Sequence, residues 1–237
     1  MEGRYPNSIM MTLATCSDRD HFDEWLDWYS YIHTPDITSA GVFTYMTRFR
    51  NASSDHQGRE IINLSESDFE DPLEALEELK RKRAPFRSDD RMSPYTEVVP
   101  GGGPFVKVGG EFQFVRNAPV LGIFISASQP MEEADEATYN QWYNDIYIPN
   151  FLKPGIFQSA YRYEMAAPDP HFESEKAVRK HYLCIYETEY ENVIEAVAEN
   201  QQSMEKSEEF NKSCEKVDTL WEIAASRIFP LEGRRSN

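Results

Sequence analysis

His33 is the residue in this sequence best suited to moving a proton, because imidazole takes and gives a proton near neutral pH without a large shift. It ends a segment in which Phe22, Trp25, Tyr29 and Ile32 or His33 recur at spacings of three or four, the pattern of one helix face. Tyr29, on that face, can donate a hydrogen bond to a substrate oxygen. Asp36, three residues on, either orients the imidazole or is a solvated loop acid. The competing reading of His33 itself is a helix C-terminal histidine meeting the negative end of the dipole. Trp28 and Tyr29 read as core residues with satisfied polar tips or as walls of a ring-binding pocket. Arg48, on a strand-like run, either pairs with an acid of its own sheet or clamps a carboxylate.

These residues return 114 positions later. Trp28, Tyr29, Ile32, Pro35, Gly41, Phe43 and Arg48 are matched by Trp142, Tyr143, Ile146, Pro149, Gly155, Phe157 and Arg162, seven identities in 23 aligned positions. Repetition at a fixed offset is the mark of a duplicated unit. It divides the chain into a first unit (1–99), a linker (100–117) and a second unit (118–237). The copies differ where chemistry would sit. Tyr147 replaces His33, and Asp145 stands where the first copy has Tyr31, so a composite site with base and acid on different copies is conceivable. Trp142, Tyr143, Asp145, Tyr147 and Arg162 are the second copy's candidate substrate-binding residues.

Composition narrows the function classes. A net charge of −17 argues against nucleic acid and against anionic membrane surfaces. No apolar run approaches the roughly 20 residues of a membrane span, and the first residues lack the apolar core of a secretory signal. A cytoplasmic protein is expected. Three cysteines at unrelated spacings read as small apolar side chains. The five histidines show no ligand-pair spacing, so no metal site is expected. Residues 101–103 are glycines without a following Lys-Ser/Thr, so they form no phosphate loop.

Positioning the candidates requires a strand at 10–16, a helix from 20 that Pro35 ends, and strands at 42–50 and 60–65. A second helix follows at 73–83, opened by Pro72, and a fourth strand at 95–99. The second copy repeats this β-α-β-β-α-β order with strands at 120–126, 156–165, 181–187 and 220–227 and helices at 136–148 and 192–210. Between them, 101–104 reads as a flexible break and 105–115 as an added hairpin around Gly109-Gly110. Seven extra residues fall in the second copy's hairpin at 166–179.

A helix ending in Trp-Tyr with His33 and Pro35 beyond it, a loop closing at Gly41 or Gly155, and a strand carrying Arg48-Phe49 or Arg162-Tyr163 resembles the dimeric α/β-barrel superfamily, nearest its EthD-type branch. The resemblance implies an α+β fold of two tandem ferredoxin-like units packed sheet to sheet, an intramolecular version of the family's homodimer. It implies a monomeric pseudo-dimer or a further homodimer, and chemistry on aromatic or polyketide-like molecules.

The resulting expectation is a cofactor-independent decarboxylase, cyclase or isomerase of a hydrophobic metabolite, with His33 transferring the proton and Tyr29 as its partner. One alternative is a heme or oxygen-dependent oxidoreductase of the same fold, with His181 or His171 as axial ligand. The other is a non-catalytic ligand-binding protein, favoured by loss of the second-copy histidine.

Overall fold

The computed structural model describes residues 1–83, 91–109, 119–132, 135–167, 181–205 and 217–230. In chain order β1 (Ser8–Cys16), α1 (Phe22–Trp28), α2 (Thr34–Thr38), β2 (Tyr45–Asn51), β3 (Ile61–Ser67), α3 (Pro72–Arg83) and β4 (Thr96–Lys107) come first. Then follow β5 (Gly122–Pro130), α4 (Glu136–Trp142), α5 (Ile148–Leu152), β6 (Ser159–Met165), β7 (Tyr182–Thr188), α6 (Val193–Glu205) and β8 (Val217–Phe229).

The eight strands form one closed antiparallel barrel in the order β1-β3-β2-β8-β5-β7-β6-β4. Each half of the chain contributes a ferredoxin-like sheet, β4-β1-β3-β2 and β8-β5-β7-β6. The sheets meet edge to edge: β2 pairs with β8 through Arg48↔Phe229 and Phe49↔Arg227, and β4 with β6 through Phe105↔Met165. The closed barrel agrees with the expected α+β barrel, and closure removes the exposed edges that two merely stacked sheets would keep.

The period of two along each strand builds two layers. In β7, Leu183 and Ile185 join the barrel interior, while Tyr182, Cys184 and Tyr186 face the helices outside. In β2, Phe49 points inward and Met46 packs under α1. Eight strands leave an interior just wide enough to be filled by side chains. Ile9, Met11, Leu64, Ile125 and Leu183 fill it here.

Two expectations fail for local reasons. Pro35 does not end its helix; it sits in the first turn of α2. Residues Tyr29–His33 form a π-turn, the Thr34 N–H reaches back to the Tyr29 carbonyl, and the Thr34 hydroxyl donates to the same oxygen at 2.9 Å. The wider turn accommodates a ring that would clash in a regular helix. Tyr143–Tyr147 does the same ahead of Pro149.

The expected break at 101–104 is the second miss. β4 runs unbroken through it, paired to β1 from Cys16↔Thr96 to Ser8↔Val106 with a register shift between Met11 and Leu13. Gly101, at φ +115°, serves that irregularity, and a Cβ there would come within 3.2 Å of Leu13. The expected hairpin beyond Lys107 falls mostly on residues 110–118, and the insertion at 166–179 mostly on 168–180, outside the described residues. No helix among the described residues is long and apolar enough to cross a membrane.

Candidate functional site

Arg48 is carried by β2 on the helix side of the sheet and is fully buried. Its Nε donates to Asn63 Oδ1 at 3.1 Å, and its Nη1 donates to the Leu26 carbonyl at 3.2 Å and to Ser30 Oγ at 2.6 Å. The guanidinium lies 4.3 Å from the centre of the Tyr29 ring. Nη2 has no hydrogen-bond partner among the described residues. Burial away from a compensating charge pulls the Arg48 pKa down to about 10. Arg48 lines a hollow of about 340 Å³ together with Leu26, Asp27, Ser30, Tyr31 and the barrel-joint residues Ile228, Phe229 and Pro230.

Arg162 holds the matching place on β6, equally buried, but the surroundings differ. Its Nη1 donates to Asn144 Oδ1 at 3.0 Å and its Nη2 to Asn140 Oδ1 at 2.6 Å. The rings of Tyr139, Tyr143 and Tyr182 stand 4.8 to 5.2 Å away. Asn140 and Asn144 sit 114 positions after Leu26 and Ser30. Two amide oxygens therefore cap the second arginine where the first copy supplies one hydroxyl and an aliphatic side chain. Neither arginine is paired with an acid of its own sheet among the described residues.

His33 is brought against Trp28 and Tyr29, with ring centroids at 4.9 and 4.7 Å. Burial first, then the nearby Arg83 and Arg48 charges, lower its pKa to about 4, so at neutral pH it is a neutral imidazole. Asp36 does not orient it: its carboxylate is held by the Arg91 guanidinium at 2.5 and 2.9 Å. That pairing also lowers the Asp36 pKa. Tyr29 is buried, its pKa raised to about 12 by burial. Trp28 is half-buried, its Nε1 donating to the Arg91 carbonyl at 3.0 Å.

In the second half Tyr147 repeats the His33 placement, with Trp142 at 4.9 Å and Tyr143 at 5.2 Å. Tyr143 is buried and hydrogen-bonded to Ser128 Oγ at 2.8 Å. Asp145 is exposed. Behind these residues the helix–sheet layer is filled with rings, Phe151 and Tyr186 only 4.0 Å apart and Phe124 stacked on both.

Sequence reasoning missed Ser30, Leu26, Asn63 and residues 228–230. A signal for the first two existed: on one helix face, position 26/140 changes from Leu to Asn and position 30/144 from Ser to Asn.

No family model matches the chain, and no curated protein matches it. Solved structures do. A dye-decolorizing peroxidase from Bacteroides thetaiotaomicron superposes with a TM-score of 0.59 at 7% identity, covering 95% of this chain and 94% of that one. A DypB variant of Rhodococcus jostii RHA1 in complex with heme gives 0.57 at 7% identity, covering 94% and 93%. A mutant chlorite dismutase from Candidatus Nitrospira defluvii gives 0.52 at 9% identity, covering 95% and 93%. The chain therefore has the ferredoxin-like α+β barrel fold of these proteins.

That finding overturns the expectation of a cofactor-independent decarboxylase, cyclase or isomerase of polyketide-like metabolites. The structures it resembles are named as a chlorite dismutase and dye-decolorizing peroxidases, one of them in complex with heme. The expectation of no cofactor is corrected with it. The side chains agree in rejecting His33 as an acid–base pair with Asp36, since Asp36 is committed to Arg91.

A heme needs an axial donor facing a flat cavity. His181 is fully buried inside the barrel, between Phe105 at 5.5 Å and Trp221 at 6.5 Å. His33 is wedged between two rings, and no histidine lines the Arg48 hollow. The described residues do not fit the group; His171 lies outside them.

Proposed function

We propose that this chain is a small-molecule-binding protein whose site is the hollow over Arg48 in its first half. The observation that carries the reading is the asymmetry between the halves. The Arg48 side opens to a lined hollow, whereas Arg162 is capped by two asparagines and backed by packed rings. An apolar wall with a few converging polar groups is the usual make-up of such a site. Mapping backbone amide shifts with a set of small aromatic acids, alcohols and amides tests it. Saturable shifts at Leu26, Ser30, Arg48, Ile228 and Phe229 are expected; shifts confined to the surroundings of Arg162 contradict it.

The comparisons favour a second reading, a heme-dependent oxidoreductase. Hemin added to the purified chain supports it if a Soret band saturates at one per chain and is lost on replacing His171 or His181. An unchanged free-hemin spectrum rules it out.

The architecture is best explained as a duplication of one unit, 1–99 and 118–237 joined by 100–117, fused into a pseudo-dimer. In support, the π-turns at Tyr29–His33 and Tyr143–Tyr147 fall at the sequence offset of 114, as do the left-handed Gly41 and Gly155. The Trp-Tyr motif ahead of Pro35 and Pro149 supports reading both units as similar to the EthD-type branch.

A further inference from the structure

We infer that the Arg48 hollow selects a small organic carboxylate with an apolar body, the carboxylate taking the place that Asn140 Oδ1 fills on Arg162. This rests on the reading of the hollow as the binding site and adds the ligand's class. An unpaired nitrogen of a buried guanidinium gains from an anionic or carbonyl oxygen, because an unmatched buried charge is costly; on Arg162 the unpaired nitrogen is Nε, on Arg48 it is Nη2. Arg48 Nη2 is such a nitrogen, on a side chain that is 0% exposed. In the second half the corresponding nitrogen is satisfied by Asn140 at 2.6 Å. Leu26, at Asn140's position, brings no side-chain acceptor, and its carbonyl is already used by Nη1 and by Ser30 Oγ at 2.8 Å.

The rest of the lining fits an acid with a hydrocarbon or aromatic body. Ile228, Phe229, Pro230, Leu26 and Tyr31 are apolar or aromatic, and Ser30 Oγ, 2.6 Å from Nη1, stands beside the proposed carboxylate. Asp27 is exposed at the rim and disfavours a second negative charge there. The class is thus a monocarboxylate; a hydrogen-bond donor at its far end can meet Asp27. Nη2 is shielded from bulk water, so a carboxylate that reaches it strips no water from the arginine. An ionised partner makes a charge-assisted bond roughly twice as strong as a neutral one.

The test uses phenylacetate and its neutral amide, phenylacetamide, on the full chain, with affinities from calorimetry and amide shifts at Ile228 and Phe229 to report occupancy. Phenylacetate is expected to bind at least tenfold tighter than the amide. Leu26→Asn, which copies the second half and gives Nη2 an acceptor, is expected to fold and to abolish that preference. Arg48→Met is expected to abolish it too, and Leu26→Asn keeps the test valid should Arg48→Met fail to fold. Equal binding of acid and amide, or an acid preference surviving Leu26→Asn, overturns the carboxylate assignment while leaving the hollow as a site. Absence of shifts at Ile228 and Phe229 with either probe overturns both.

Discussion

The imidazole of His33 lies against the indole of Trp28 with ring centroids 4.9 Å apart and a tilt of 32°. Tyr147 lies against Trp142 at 4.9 Å and 34°. The same packing is thus filled by a histidine in one half and a phenol in the other. His33→Tyr should therefore shift the melting temperature by no more than a few degrees, whereas His33→Ala, which empties the place, should cost about 2 kcal/mol. Thermal melts of both variants decide it; a tyrosine variant as damaged as the alanine variant would contradict shared packing.

The lowered pKa of His33 also gives a pH dependence. The unfolded chain takes up this proton near the ordinary value of 6.5, the folded chain only near 4. The histidine therefore costs nothing above pH 6.5, and folding stability falls as pH drops from 6.5 toward 4. Denaturant titrations across that window should show the wild type losing more stability than His33→Tyr. Parallel pH curves for the two proteins would contradict it.

Gly41 and Gly155 end the paired helices at φ +67° and +77°, and a Cβ at either would meet nothing within 4 Å. The cost of alanine there is conformational alone, about 1 kcal/mol at each position. Similar losses at both sites are expected from chemical denaturation. A loss at one site only would show that the two helix exits are not equivalent.

How much of this was readable beforehand depends on the range of the interaction. The strands, the β-α-β-β-α-β order and the matching halves follow from periodicities of 2 and 3.6 and from identities spaced by 114. Passage of the helix through Pro35 was not readable, because it depends on a backbone register that widens one turn without changing the side-chain pattern. Nor was the strand through 101–103, where pairing with β1 on either side of a register shift carries the backbone across glycines that read locally as a break. The candidate site divided in the same way. Arg48 was visible as a recurring strand arginine, but the wall formed by residues 228–230 comes from the β2–β8 joint, which no local pattern announces.

Gly122 stands where a Cβ would lie 2.1 Å from Val193 Cγ2 and 3.1 Å from the Ala225 carbonyl. Gly122→Ala should therefore push α6 off the sheet and destabilise by about 1–3 kcal/mol. Adding Val193→Ala relieves the closer contact, so the double variant should lose less than the sum of the two single losses. Simple additivity would contradict this account of the contact.

Replacing Arg162 by Met leaves the Asn140 and Asn144 amide oxygens without their donor in a ring-lined layer, a loss of about 3 kcal/mol. Arg48→Met should cost less, since Ser30 keeps its bond to Leu26 and Asn63 keeps one to the Thr12 carbonyl. Equilibrium unfolding of the two variants ranks them, and the reverse order would contradict the division into a structural and a ligand-facing arginine.

A crystal structure of the chain soaked with phenylacetate tests the central claim most directly. The carboxylate should lie about 3 Å from Arg48 Nη2, with the ring against Phe229 and Ile228. Density for the acid beside Arg162 or inside the barrel near His181, with the Arg48 hollow empty, would contradict it.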